Sequence, residues 1–422
     1  MKPTFLAAVL ATCFAAPAMA QSSVTLYGIA DAGLMKASGQ SLRVVSGIAD
    51  GSRLGVKGTE DIGGGYKAVF NLEARIELDT GSQQATLLSP EQGLYLSRGM
   101  GALPAPVLAA VRAGLQPRIA VNQEGALFDR TAMVGLVTPG GALLVGRMYT
   151  PGYEVFAAAD AFETGTAGTW AGLTGGTGGF TALGADIRSQ KSIQYRLATP
   201  QGVGASLMYG AKASGYLGRY NKFLGGAATY KAHGWDIGVA HNRGYDQNDA
   251  PSLVTSTIGG SYTVGDAKLF FGYHDQRNHH SVLLPEYIAT YDASINPGVA
   301  ALVGASTAAA LRTVFVNNIT SNSQVDAAGV QIGAHLRMGP GRLMMSIAQQ
   351  NDRTASNSDA RLVAFGYDYL LSARTDLYTV AAQIHNQNDS QYIPGAAGAP
   401  GGFAKTPGER TRAYQVGIRH RF

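Results

Sequence analysis

The chain has 422 residues, 14% of them charged and 45% hydrophobic, with 56 glycines, one cysteine and a formal net charge of +5. That charge fraction lies well below the roughly 25% of an ordinary soluble domain, while 20 tyrosines and 14 phenylalanines argue against a disordered chain. No apolar run beyond residue 20 reaches the ~18 residues a membrane helix needs, one cysteine cannot build a disulfide scaffold, and the small positive excess gives no argument for nucleic acid.

Residues 1–20 read as a cleaved signal peptide: Lys2 precedes an apolar stretch from Phe5 to Ala16, and Ala18-Met19-Ala20 supplies a small-residue cleavage site. The mature chain is then expected to be one domain over 21–422. Cys13 lies inside the signal, so an exported protein without disulfides must draw its stability from hydrogen bonds or its surroundings.

Alternation starts at once. From Val24 to Leu34, Leu26, Ala30 and Leu34 share one face while Thr25, Tyr27 and Asp31 share the other. Tyr66, Ala68, Phe70, Leu72, Ala74 and Ile76 alternate with Lys67, Asn71, Glu73 and Arg75. Ala328 to Met338 repeats the pattern against Gln331, His335 and Arg337, as do Val363, Phe365, Tyr367 and Tyr369 against Asp368. No helical period fits these runs. Tight turn signals such as Gly63-Gly64, Pro139 to Gly141, Val264 to Asp266 and Gly339 to Gly341 take turns with long segments near 35–50, 79–126, 149–187, 214–222, 244–251, 277–323, 351–358 and 387–411. Eight long loops with short turns between them predict about sixteen strands. Soluble sandwiches, propellers and solenoids also alternate, but they need no short turns at one end with long loops at the other. In lipid a sheet must close on itself because nothing else satisfies its edges. The expected fold is therefore all-β, a sixteen-stranded antiparallel transmembrane β-barrel with an apolar face toward lipid and a polar face toward a lumen.

The chain ends with Tyr414, Val416, Ile418 and Phe422 on one face and Arg419 and Arg421 on the other. A terminal aromatic such as Phe422 looks like the assembly signal that the barrel-assembly machinery of bacterial outer membranes reads.

Six segments carry a more specific resemblance: Ser23 to Gly33 (SVTLYGIADAG), Gly51 to Glu73 (GSRLGVKGTEDIGGGYKAVFNLE), Leu127 to Leu136 (LFDRTAMVGL), Gly146 to Pro151 (GRMYTP), Ser372 to Tyr378 (SARTDLY) and Gly417 to Phe422 (GIRHRF). Together they resemble the Gram-negative general-diffusion porins, particularly the betaproteobacterial branch, over essentially the whole mature chain. The resemblance implies a multi-pass protein of the outer membrane. It also implies a homotrimer, each barrel holding its own pore, narrowed by an inward-folded third loop. Its surroundings would be outer-membrane lipid and lipopolysaccharide, and its cargo small hydrophilic solutes and inorganic ions diffusing passively. No cofactor, metal or nucleic acid is implied. An unusual segment in the second loop, Ala102 to Gly114, departs from the family, which uses that loop to latch onto a neighbouring subunit. The Ala-rich part of the sixth loop either covers the mouth or forms a short helix.

A pore sets size and sign at its narrowest ring, so the relevant residues are lumen-facing charges and acids on the inward loop. Parity sends Arg53 and Lys57 inward opposite Leu54 and Val56, and puts Arg75 on the polar face with Glu73; Arg188 shares a face with Gln190, Gln194 and Arg196. The resemblance places Arg53, Arg130 and a base near Arg188 on the basic side of the constriction. On the third loop, Glu154, Asp160 and Glu163 are assigned to the acidic side by position and charge. An excess of wall arginines over loop acids predicts a mild anion preference.

The alternatives are a substrate-specific porin, an outer-membrane barrel hydrolase, or an adhesin built on the long loops. A hydrolase needs a nucleophile with a positioned base, and no motif of the known barrel hydrolases is present. His274, His279 and His280, read as sharing one loop, could capture a metal. Tyr66, Tyr195, Tyr367, Tyr369 and Tyr414 fall on the lipid face, favouring an interfacial girdle over an aromatic slide for sugars.

Overall fold

A computed structural model of the chain describes residues 23–83, 86–87, 96–115, 119–120, 125–173, 187–215, 218–278, 281–395 and 401–422. The expected signal and cleavage site lie outside the described residues, as do His279, His280 and most of the glycine-rich stretch after Leu173.

The strands close into one antiparallel barrel. In chain order they are β1 (Ser23–Ala37), β2 in two pieces (Arg43–Ser46 and Arg53–Gly63), β3 (Tyr66–Arg75), β4 (Thr131–Thr138), β5 (Gly141–Tyr149), β6 (Arg188–Ala198), β7 (Val203–Gly210) and β8 (Lys222–Ala232). The second half runs β9 (Trp235–Tyr245), β10 (Pro251–Val264), β11 (Ala267–Asn278), β12 (Val325–Met338), β13 (Gly341–Asp352), β14 (Ala360–Leu370), β15 (Thr375–Asn386) and β16 (Arg410–Arg421). Each strand pairs with its chain neighbours, and β1 closes the ring onto β16 with Gly33 opposite Gly417. At that seam the backbones of Gly28 and Phe422 exchange two hydrogen bonds of 3.1 Å. The result is sixteen strands with short turns at one end and eight longer loops at the other.

Period two decides which side each residue meets. Leu26, Val134, Leu207 and Ile332 are more than half exposed on the outer face, where only lipid can satisfy an apolar surface of that size. Tyr66, Tyr195, Tyr369 and Tyr414 stand on the same outer face. Asp31, Glu73, Gln194, Gln331 and Gln415 point inward and are buried. The inner face is less uniformly polar than the alternation alone implies. On β14 and β15, Leu362, Ala364, Val380 and Ile384 face inward and are covered by Tyr392 and Ile393 of loop 8 and by loop 3.

Two features narrow the barrel. The first is the break in β2, where residues 47–52 leave the sheet and bulge inward. Asp31 of β1 holds this bulge by accepting from the amides of Ile48 (3.2 Å), Ala49 (3.0 Å) and Asp50 (2.7 Å), while the Tyr378 hydroxyl donates to it at 2.5 Å. The second is loop 3, between β5 and β6, which begins with α2 (Pro151–Ala159), capped by the Thr150 hydroxyl. This helix lies against β8 to β11 of the inner wall. Loop 2 carries α1 (Ala105–Gly114), and loop 6 carries α3 (Leu284–Thr290), α4 (Asn296–Val303) and α5 (Ala305–Asn322). Both unusual loop segments are thus helical.

Candidate functional site

Loop 3 is held along much of the inner wall. The Gln331 amide donates to the Ala159 carbonyl at 2.8 Å, Ser346 to Gly168 at 3.2 Å, and the Ala167 amide donates to Gln415 at 2.8 Å. Its tip rests on the β2 bulge, where the Thr166 amide donates to the Ile48 carbonyl at 2.7 Å. Phe156 and Trp170 stack at 4.4 Å and seat the loop on His274. Wall glycines make room for this seat: a Cβ at Gly272 would stand 2.7 Å from the Trp170 ring, and one at Gly333 would stand 2.5 Å from Ala161.

The bulge and loop 3 face a cluster of arginines around a narrow cavity of about 110 Å³. Arg53, Arg75, Arg130 and Arg188 line it, together with Asp50, Tyr149 and Glu163. Arg53 reaches Asp50 at 3.1 Å and approaches Glu73 at 4.0 Å. Arg130 holds Glu73 at 2.6 Å and donates to the Tyr149 hydroxyl at 3.1 Å. Arg188 donates to the same hydroxyl at 2.7 Å, with its guanidinium 4.4 Å from the Tyr149 ring centre. Tyr153 stacks on Tyr149 at 5.2 Å and extends this platform from the wall into loop 3.

The remaining candidates sit as follows. Arg75, though it lines the cavity, is fully buried and its charge is met by Glu77. Lys57 lies four residues from Arg53 toward the short-turn end, ~13 Å along the strand, with its Nζ 5.0 Å from the Tyr27 ring centre. Glu154, on α2, pairs with Arg196 of β6 at 2.6 Å. Asp160 is fully buried inside loop 3, where it accepts from the amides of Phe162 (2.9 Å) and Thr164 (3.1 Å) and from the Thr169 hydroxyl. Burial pushes its carboxyl up to about 7 against those donors. It shapes the loop and does not face the arginines. Glu163 does line the cavity, and Arg342 of β13 grips it through two bonds of 2.6 and 2.9 Å. Burial pushes the Glu163 carboxyl up, but the Arg342 bond and charge outweigh it and bring it down to about 2.

Sequence reasoning misses Arg147. It is buried on β5, donating to the Asp129 carbonyl at 2.7 Å and to Gln190 at 2.9 Å, with no carboxylate among these partners. A register shift between Gly146 and Met148 displaces the parity that would reveal it. The shared-loop histidine site needs correction: His274 lies on β11, inside the wall, bonded to Thr257 at 2.8 Å beneath Phe156. Among the described residues no group of three metal-ligating side chains converges.

A closed transmembrane barrel whose third loop folds inward onto a charged, narrow passage is an outer-membrane channel. The chain matches the Gram-negative porin family over residues 6–389 and belongs to it. It is 28% identical to outer membrane porin protein 32 of Delftia acidovorans, both chains being covered in full. It is 24% identical to an outer membrane porin protein of Bordetella pertussis, again over both whole chains. Among solved structures it is similar to an anion-selective porin from Comamonas acidovorans, with a TM-score of 0.65 and 23% identity over 95% of this chain and all of that one. A trimer form of OmpT from Vibrio cholerae gives a TM-score of 0.57 at 14% identity, covering 95% of this chain and 99% of that one. The protein is a porin of the Gram-negative outer membrane, forming a water-filled path for small hydrophilic solutes.

Proposed function

We propose that this porin is a general-diffusion channel with a mild anion preference, set by Arg53, Arg130 and Arg188 at the constriction. The observation that carries the reading is a local charge imbalance. Among the described residues the guanidinium groups of Arg53, Arg75, Arg130, Arg147 and Arg188 are paired with only three carboxylates, those of Asp50, Glu73 and Glu77, and Asp50 is shared with Arg419. Arg188, buried in the cavity wall, donates to the Tyr149 hydroxyl and meets no carboxylate there, so its charge adds to the field across the passage. Low-dielectric walls focus such a field, and salt screens it over about 8 Å at physiological strength. Glu163 supplies the opposing sign across the cavity, which orients dipolar solutes. The chemistry is permeation, without a catalytic step or cofactor.

The assembled form is a homotrimer, a reading supported by the family resemblance and by the trimeric relative. Residues 1–20 are removed on export, and Phe422 is read by the assembly machinery before the barrel meets lipid and lipopolysaccharide. Planar-bilayer recording of purified mature protein tests the reading: stable conductance steps in groups of three, proportional to salt, are expected. Correctly folded protein that gives no steps would contradict it.

A further inference from the structure

Loops 2 and 6 leave the wall at opposite points. Loop 2 joins β3 to β4 and loop 6 joins β11 to β12, so half of the ring separates their roots. Their described parts nevertheless share one apolar core, in which Met100, Val107 and Val111 of loop 2 pack with Tyr291, Phe315 and Ile319 of loop 6. Tyr291 and Phe315 stack at 4.2 Å inside it. Polar contacts fix the same junction: the Asn322 amide donates to the carbonyls of Leu96 at 2.9 Å and Arg98 at 2.8 Å. Arg312 holds Asp292 through two bonds of 2.6 and 2.7 Å, tying α5 to the turn after α3. The other loops join in. Arg98 donates to Ser358 of loop 7 at 3.1 Å, Phe403 of loop 8 enters the core, and Arg219 of loop 4 pairs with Glu286.

Two loops rooted on opposite sides of a ring can share a core only where chain crosses the opening. Sixteen strands about 4.8 Å apart and tilted by about 40° give a backbone circle of about 32 Å. The eighteen residues of α5 make a rod of about 27 Å, on the scale of that opening. The apolar face of α1 is occupied by its own loop 6, so it is not offered to a neighbouring subunit.

We infer that loops 2 and 6 form a helical roof across the extracellular mouth, a size filter in series with the constriction. The constriction sets sign because its charges are close and poorly screened. The roof selects by bulk, because its junction is apolar and its ion pairs are internally matched. Large solutes are turned back before they meet the arginines, while small ions pass around the roof.

This inference rests on the chain being a diffusion channel, so its test separates the roof from permeation. A Cβ at Gly114 of α1 would lie 3.7 Å from Cγ2 of Thr290, so two cysteines placed there come within mutual reach across the junction. The mature chain has no other cysteine once residues 1–20 are gone. The double variant Gly114→Cys/Thr290→Cys is expected to form a disulfide in the exported, folded barrel, seen as a mobility shift lost on reduction. Absence of that disulfide in folded protein would overturn the roof, whatever the channel does. Replacing 96–115 by a short Gly-Ser linker should raise liposome swelling by large oligosaccharides severalfold, leaving the zero-current potential in KCl unchanged. Phe315→Ala opens the core with every loop in place and should move the same size profile in the same direction. An unchanged profile in both variants would overturn the filter. Native protein that swells no liposomes would fail the channel reading alone, with the disulfide still deciding the roof.

Discussion

The Arg188 guanidinium lies 4.4 Å from the Tyr149 ring centre and donates to its hydroxyl at 2.7 Å. Stacking on an aromatic face holds a cation in place without neutralising it. Arg130 donates to the same hydroxyl, but its charge is already met by Glu73 at 2.6 Å. Two arginines on one phenol therefore play different parts: Arg188 supplies net charge, and Arg130 supplies rigidity.

Arg188→Gln is expected to lower anion preference while leaving folding intact, because no carboxylate loses its partner. Zero-current potentials across a KCl gradient check the first point and heat-modifiable mobility the second. Arg130→Ala should act on both. It leaves the buried Glu73 with the Tyr27 hydroxyl at 3.0 Å and Arg53 at 4.0 Å, so selectivity shifts toward cations and stability falls, toward the lower end of the roughly 3–5 kcal/mol that breaking a buried pair costs. Equal thermal stability of the two variants would contradict this division.

Trp170 and Ala161 rest on bare wall at Gly272 and Gly333. Adding bulk there forces loop 3 off its seat. Gly333→Val should lower the unfolding midpoint by an amount equivalent to about 1–3 kcal/mol, the usual range for overpacking, and change single-channel conductance. A variant with native conductance would show that the loop does not depend on this contact.

The Glu163–Arg342 pair sets an acid limit for the inward loop. The folded carboxyl sits at about 2, below its ordinary 4.5. Its contribution is therefore complete above about pH 4.5 and is lost as pH falls toward 2. Current noise is expected to rise over that window as the loop tip loosens. Glu163→Gln should show the loosened behaviour at neutral pH and no further change on acidification; an acid transition identical to that of the native protein would contradict the assignment.

Phe422 closes the seam on Gly28 with two backbone bonds, and any Cβ at Gly28 would collide with its ring. Deleting Phe422 should reduce the yield of folded, heat-modifiable barrel in the outer membrane, measured on unboiled gels, while unfolded chain accumulates. An undiminished folded yield would remove this residue from assembly.

Much of this is legible in the sequence, because the wall obeys a strict period. The faces assigned to Leu26 and Asp31, or to Leu72 and Glu73, follow from alternation alone. The break in β2 is not legible, since the stretch near 35–50 reads as one long loop, and only the bonds to the buried Asp31 carboxylate show residues 47–52 turned inward. Arg147 was hidden by a register shift. Among the loop acids, sign could not tell a carboxylate that organises its own loop, Asp160, from one that crosses to the wall, Glu163. That distinction depends on which donors lie nearby, which is a tertiary fact. For loop 2 the sequence shows an unusual segment, and for loop 6 an Ala-rich part that either covers the mouth or forms a short helix; that the two share one apolar core depends on residues far apart in the chain and is a tertiary fact.

The charge bias of the constriction is read from the zero-current potential of native protein and of Arg188→Gln, recorded side by side across a KCl gradient at neutral pH. An anionic sign for the native channel, reduced in the variant, is the expected result. A cationic sign for the native channel, or identical potentials for the two, would contradict an arginine-biased constriction.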